Sequence, residues 1–420
     1  MTGKRTASGR DLAIDGTRGV AIWSMVSLHF ANGMLIALPT HAYPFVDGMS
    51  AFVLLSGLVL GLVHRRWIAR HDLDFAYRNL AKRVGVLYLA QLSIALFAVA
   101  AGMFLTAGQF RMLTVLPPDL PLAQQLWWAV TMRFLPSGGS ILVVYMVLMT
   151  LAFGVLPLLA RGRWQLVLAI SVAGYTVSQL TSADWMVIYS SPVTGPVQNW
   201  LAWQILFIPA MVVGWHWTDW QLPQRLDAAA PALLGITAAL WVALFYGWRS
   251  GAFTHATALV SKVNLGPIRA LAAWLVVTAV YVLFRRLLQW KYHVWSRPLV
   301  MVGARSLDSY VIQALALVAI PMLVVFRPWG PGVSTAVTVA VFAACWGWAE
   351  FRRHLQVDKL HRLPAILSAR AGRRPADEPE SASSEGERRD HTARITTGSG
   401  ATRWPRRTDA ERARRESAAH

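Results

Sequence analysis

Ten apolar runs, each close to the length that crosses a hydrocarbon core, decide what this 420-residue chain can become. They fall near 18–38, 45–64, 84–105, 140–160, 164–182, 200–217, 231–247, 267–288, 306–326 and 333–350. Inside lipid no water meets a backbone N–H or C=O, so such runs must satisfy their own hydrogen bonds, and runs of about 20 residues do so as helices. Hydrophobic residues make up 55% of the chain and charged residues 15%, far from an ordinary soluble domain. The expected fold is an all-α integral membrane protein, a bundle of about ten transmembrane helices spanning 18–350 between a short cytosolic segment, 1–17, and a tail, 351–420.

Orientation follows from Lys and Arg. They crowd before the first run (Lys4, Arg5, Arg10), between the second and third (Arg65, Arg66, Arg70, Arg78, Lys82, Arg83) and between the eighth and ninth (Arg285, Arg286, Lys291, Arg297). The alternate connections are nearly bare of them, which places both termini in the cytosol and the protein in the inner (plasma) membrane. Much of the net charge of +19 is therefore an orientation signal, and the rest lies in the tail. Beyond Pro364 that tail mixes Arg, Glu, Ser, Asp and Gly with almost no apolar periodicity, a composition that cannot bury a core and is expected to stay disordered in the cytosol. No folded nucleic-acid motif accompanies its charge, so membrane lipids are the expected neighbours and nucleic acid is not. The single Cys345 excludes an internal disulfide or a Cys-based metal cluster, and no metal is expected. The basic N-terminus is not followed by a short apolar region with a cleavage site, so the first run is expected to remain in the protein.

Within the first run stand Arg18 and His29, where bilayer energetics disfavour both. Eleven helical residues bring the chain back to nearly the same face and roughly 16 Å further along. Asp15, Arg18, Ile22, Met25 and His29 thus form one stripe carrying a carboxylate, a guanidinium and an imidazole. An ionisable group in a span is costly unless it faces a bundle interior or a wet cavity, so this stripe is the first candidate site. In the second run Ser56-Gly57, with Gly61 beyond, interrupts an apolar stretch. Small residues there suit close helix packing, with Ser56 bonding back to a carbonyl. Equally, a hairpin of the first two runs would bring Ser56 to the depth of His29 and set Asp47 at the outer mouth.

Two cytosolic groups remain. The segment Arg65 to Arg83, with Trp67, Phe75 and Tyr77 interleaved, serves orientation, and Arg65, Arg66, Arg78, Lys82 and Arg83 could also hold phosphates. Arg305-Ser306-Leu307-Asp308 opens the ninth run, with Tyr310 and Gln313 behind it; a cap by Ser306 and an Arg305 to Asp308 pair would account for it structurally.

The stretch Arg10 to Gly19 followed by His29, together with Asp47 and Phe52-Val53-Leu54-Leu55-Ser56-Gly57, resembles the opening of the glucans biosynthesis protein C (OpgC) family, within the wider acyltransferase-3-like transmembrane acyltransferases. Asn199-Trp200-Leu201-Ala202-Trp203-Gln204-Ile205-Leu206-Phe207, Lys262-Val263-Asn264-Leu265-Gly266-Pro267-Ile268-Arg269 and Arg305-Ser306-Leu307 continue the resemblance in order, over roughly 10–350. It implies a membrane enzyme that moves an acyl group, succinyl in the best-known members, from cytosolic acyl-CoA to hydroxyls of an extracytoplasmic glycan. The superfamily's first-span Arg and His fall on Arg18 and His29. Ser50 stands where many relatives carry Glu, and Gln313 near where a His is common, so donor and acceptor could both differ.

The residues suit that chemistry. Acyl transfer needs a base for the alcohol proton, donors for the oxyanion and a hold on the CoA phosphates. His29 suits the base, Asp47 an orienting or acceptor-binding role, and Arg18 with the basic segment the donor; Ser56 as nucleophile lacks a recognisable base nearby. The same stripe could instead serve a transporter or flippase as a proton or substrate path, although no pair of broken helices repeats in the two halves.

Overall fold

The computed structural model describes residues 11–41, 43–104, 116, 120–136, 138–181, 183–192, 195–289, 293–323 and 329–355. Thirteen helices occur among them. They are α1 (Leu12–Ala31), α2 (Leu38–His41), α3 (Gly48–Arg70), α4 (Leu73–Gly102), α5 (Leu122–Val130), α6 (Ser140–Ala160), α7 (Trp164–Leu180), α8 (Trp200–Trp215), α9 (Leu222–Arg249), α10 (Pro267–Gln289), α11 (His293–Ala304), α12 (Ser306–Leu323) and α13 (Pro331–His354). A small antiparallel hairpin, β1 (Val187–Tyr189) and β2 (Pro196–Asn199), precedes α8. Every one of the ten apolar runs is helical over most of its length, and six helices, α3, α4, α6, α9, α10 and α13, are long and apolar enough to cross a membrane. The expected tail lies outside the described residues.

Two boundaries differ from the sequence expectation, each for a local reason. The first helix starts six residues early, because Asp11 accepts the N–H of Ala13 at 2.9 Å and caps it. It stops at Ala31, where Asn32 leaves helical geometry and Gly33 takes φ +79°, so the run to residue 38 continues as a 3-10 turn and then α2. The expected basic loop is the second difference. It is almost wholly helical: only His71 and Asp72 separate α3 from α4, and Asp72 caps α4 by accepting the N–H of Phe75 at 2.6 Å.

The bundle is built around α1, which packs on α3, α10, α11, α12 and α13. Its closest contacts are backbone to backbone through glycine. Leu299 O lies against Gly19, and Gly303 lies against Asp15 O. The α3–α8 crossing uses the same device: Gly57 sits on Phe207 O, Gly61 on Met211 O, and Gly214 on Leu58 O. Hydrocarbon tails are as apolar as Leu, so helices in lipid gain little from burial and associate through such tight packing instead. The small-residue reading of Gly57 and Gly61 is therefore correct, while Ser56 makes no back-bond to a carbonyl; its buried hydroxyl has no hydrogen bond.

A methyl group at Gly61 or Gly214 would collide with a carbonyl that cannot move without its helix. We expect Gly61→Ala to lower the detergent-solubilised melting temperature by an amount equivalent to roughly 1–3 kcal/mol of overpacking. Gly85→Ala on α4, where a Cβ would meet nothing within 4 Å, should be neutral or slightly stabilising. Equal melting temperatures for the two variants would show that the α3–α8 contact is looser than described.

Candidate active site

At one end of the bundle three helix starts share one layer. Asp47 caps α3: its Oδ1 accepts the Ser50 N–H at 3.0 Å and the Ser50 hydroxyl at 2.9 Å, and its Oδ2 lies 3.1 Å from Lys262 Nζ. Ser50 is thus a donor to the neighbouring carboxylate. Arg269, from the first turn of α10, donates to Phe45 O at 2.7 Å and Val260 O at 3.2 Å, and its guanidinium stands 5.8 Å from the Phe45 ring centre. Phe45 has φ +64°, a strained value for an aromatic residue that this clamp holds in place.

Lys262 is itself held by a network. Asn199 caps α8 and donates its backbone N–H to Val263 O at 2.8 Å, while Asn199 Nδ2 donates to Asn264 Oδ1 at 3.2 Å. Trp203 Nε1 donates to Val263 O, Gln179 Nε2 to Asn264 O and the Tyr175 hydroxyl to Leu265 O. The loop before α10 is thereby stitched to α7 and α8, and its lysine is fixed against α3.

Burial opposes a charge on Asp47. Lys262, the Ser50 N–H and Arg269 outweigh that penalty and hold the carboxyl below the ordinary carboxylate range. Gly48, the next residue, packs on Ala21 O and Met25, so Asp47 stands beside α1. His41, on α2, folds back over the same helix, its Nε2 3.3 Å from the Ser24 hydroxyl. Burial lowers its pKa, and the Ser24 contact and the nearby Asp47 oppose that only in part.

Asp15 and Arg18 are buried on α1, and His29, in its last turn, is partly exposed. Gly48 on Ala21 and Met25 sets Asp47 nearer the His29 end of α1 than Ser56. Because α3 begins level with Ala21–Met25, eight further residues carry Ser56 to the depth of Asp15, not that of His29. The reason is the link between the helices, which returns through α2 instead of turning at the end of α1.

In the basic cluster Arg65 has another use. It donates to Trp215 O at 2.7 Å and to Asp219 Oδ1 at 2.9 Å, closing the C-terminus of α8. Arg66, Arg78 and Lys82 are exposed and Arg83 half-buried, and none of the four forms an ion pair among the described residues. Asp308 Oδ2 accepts from Trp348 Nε1 at 3.2 Å and from Arg352, which ties α12 to α13. Ser306 is buried at the start of α12. No group of three or more His, Cys, Asp or Glu that could hold a metal ion occurs among the described residues.

Sequence reasoning passed over His41, Lys262 and Arg269 as site residues. Lys262 and Arg269 stood within a stretch that carries the family resemblance, but nothing in their spacing tied them to Asp47, more than 200 residues earlier.

A family model described as OpgC protein matches residues 10–356. The chain belongs to the OpgC family. No curated protein and no solved structure matches it. Membership of that family and the six long apolar helices make the chain a multi-pass membrane protein of the transferase type, and suggest a glucan-modifying membrane acyltransferase.

The lowered pKa of His41 has a consequence for stability. The unfolded imidazole takes up a proton near pH 6.5, whereas the folded one does so only at lower pH, so folding loses stability as pH falls below about 6.5. His41→Gln should flatten that decline. The check is the melting temperature between pH 7.5 and 5.5 for both proteins; parallel curves would mean that His41 titrates as it does in the unfolded chain.

Proposed function

We propose that this OpgC-family protein is an O-acyltransferase that moves an acyl group from cytosolic acyl-CoA, succinyl-CoA among the candidate donors, to a hydroxyl of an extracytoplasmic glycan. The observation that carries this reading is the placement of Asp47, held by Lys262 and Ser50 beside α1, the helix that carries His29. An acyl transfer to an alcohol needs a base near a site that binds a polyhydroxylated acceptor, and the outer layer offers both. His29 takes the proton of the acceptor hydroxyl as its oxygen attacks the thioester carbon. The C–S bond then breaks, and the proton passes to the departing thiolate. Asp47 with Lys262 presents an acceptor and a donor to sugar hydroxyls.

Arg18, roughly 16 Å deeper on the same stripe, faces the donor arm, and Asp15 lies one turn nearer the cytosol. Arg66, Arg78, Lys82 and Arg83 hold the donor's phosphates, Arg65 being committed to Asp219. This arrangement requires α1, α7, α8 and α12 to cross the membrane along with the six longer helices, giving ten spans with both termini and the tail in the cytosol.

The decisive experiment incubates purified protein with labelled acyl-CoAs and a glucan acceptor. Thioester cleavage with label on the glucan supports the enzyme; a transporter leaves the thioester intact. His29→Gln keeps bulk and a hydrogen-bonding group but no titratable base, so transfer per folded molecule should fall roughly 10²-fold or more. Near-normal specific activity would remove His29 from the chemistry.

Orientation is separable from chemistry. Cys345 is buried, so the native chain gives little background to thiol reagents. We expect Trp185→Cys to react with an impermeant reagent in intact cells, with the outer membrane permeabilised where there is one, and Arg70→Cys to stay protected until the cytosolic face is opened. The opposite pattern would put the basic cluster on the wrong side for a cytosolic donor.

A further inference from the structure

Where α6 begins, the bundle buries polar atoms that find no hydrogen-bond partner among the described residues. Gln91 of α4 is fully buried, and Tyr310 and Gln313 of α12 are each 1% exposed. Both amide atoms of Gln91, the Tyr310 hydroxyl and Gln313 Oε1 make no hydrogen bond among the described residues. Buried polar groups are almost always paired, and several orphans in one place ask for an explanation.

They meet over one turn of chain. Gly138 has φ +85°, and a Cβ there would stand 3.9 Å from the Tyr310 hydroxyl oxygen; a Cβ on Gly139 would stand 2.7 Å from Gln91 Nε2. The missing Cβ of Gly139 thus leaves room for the Gln91 amide, and Gly138 brings the Tyr310 hydroxyl within van der Waals reach of the same turn. Gly139 is also the N-cap of α6, a 21-residue helix whose first N–H groups receive no side-chain cap, so the positive end of its dipole faces the same spot. Gln313 lies three residues beyond Tyr310, on the same face of α12. Phe52 supplies an apolar wall, its ring centre 6.0 Å from that of Tyr310 and 5.7 Å from that of Tyr145.

The place is contiguous with the layer around Asp47. Gln198 Nε2 donates to the Ser140 hydroxyl oxygen at 3.2 Å and lies 3.7 Å from Met49 Sδ, two residues from Asp47.

We propose that Gln91 and Tyr310, with Gln313 beside them and the uncapped start of α6, form the subsite that holds the carbonyl oxygen of the acyl group during transfer. The inference rests on the acyltransferase reading above. Two neutral donors and a helix N-terminus are the groups that stabilise an oxygen gaining negative charge. Gln91 Oε1 and Gln313 Oε1 are acceptors, suited to the hydroxyl that attacks the same carbon. The tight burial favours a single oxygen over a sugar ring.

The test uses Tyr310→Phe and Gln91→Met in the full-length protein, with kcat, the KM for acyl-CoA and the melting temperature measured together. Both substitutions keep volume and remove an unpartnered polar group, so the fold should be as stable or more so. As oxyanion donors, each should cost roughly 10²-fold in kcat with donor KM within about twofold. Gly139→Ala, which pushes a methyl group toward Gln91 Nε2, should reproduce the loss. Unchanged kcat, a change in KM alone, or a loss that only follows the folded fraction would each overturn the subsite. A wild-type protein that cleaves none of a panel of acyl-CoAs would overturn the acyltransferase reading itself, and the subsite with it.

Discussion

Backbone contact through glycine is the constraint from which the rest of the bundle follows. In lipid the side chains of two helices gain little by leaving hydrocarbon, so their axes stay together only where the backbones come close. Gly19 and Gly303 bring α1 and α11 into such contact, and Gly57, Gly61 and Gly214 do the same for α3 and α8. The α3–α8 contact sets the depth of α3, and Gly48 on Ala21–Met25 then sets α3 against α1. The height of Asp47 beside α1 is thus a result of glycines that carry no chemistry.

Several charges in this frame are paired by elements distant in sequence. Asp11 and Tyr281 join at 2.9 Å and Arg285 reaches Asp227 at 2.9 Å, which ties the N-terminal segment to α10 and α9. Asp308 joins Arg352, and Asp47 joins Lys262. Removing one partner of such a pair strands the other, so these contacts are expensive to break and weak evidence of net stabilisation. Their value is positional: each fixes which helices are neighbours at one end of the bundle.

Much of this was legible in the sequence, because lipid leaves few choices. All ten apolar runs became helices, and the Arg18–His29 stripe lies on one of them. The errors share a cause. The depth of Ser56 depended on the path of residues 32–47, where Asn32, Gly33 and Pro39 break one helix and α2 starts another, and no periodicity foretells where such a link returns. The partners of Arg65, Asp308 and Asp47 lie 154, 44 and 215 residues away in the chain, beyond any local spacing rule. Asp308 also reaches Arg352, a partner that no local pattern around Arg305 and Asp308 points to.

The two ends of the molecule differ in how they treat charge, and the difference bears on direction. At the α3–α4 end Arg66, Arg78 and Lys82 are exposed and form no ion pair among the described residues, which costs little in water and leaves them open to a polyanion. At the opposite end Lys262 and Arg269 are committed to Asp47 and to the carbonyls of Phe45 and Val260, so little net positive charge is offered there. On the proposed acyl transfer, a phosphate-bearing donor would be drawn to the first surface, whereas a neutral glycan could exchange hydrogen bonds with the second without displacing a counterion. The neutral groups of Gln91, Tyr310 and Gln313 belong to neither surface. A charged ligand would have to shed its hydration to stop there, but an acyl carbonyl, uncharged until it reacts, would not. On that proposal, the order of anion site, neutral centre and hydrogen-bonding rim would give the bundle a polarity that suits a donor at one end and an acceptor at the other.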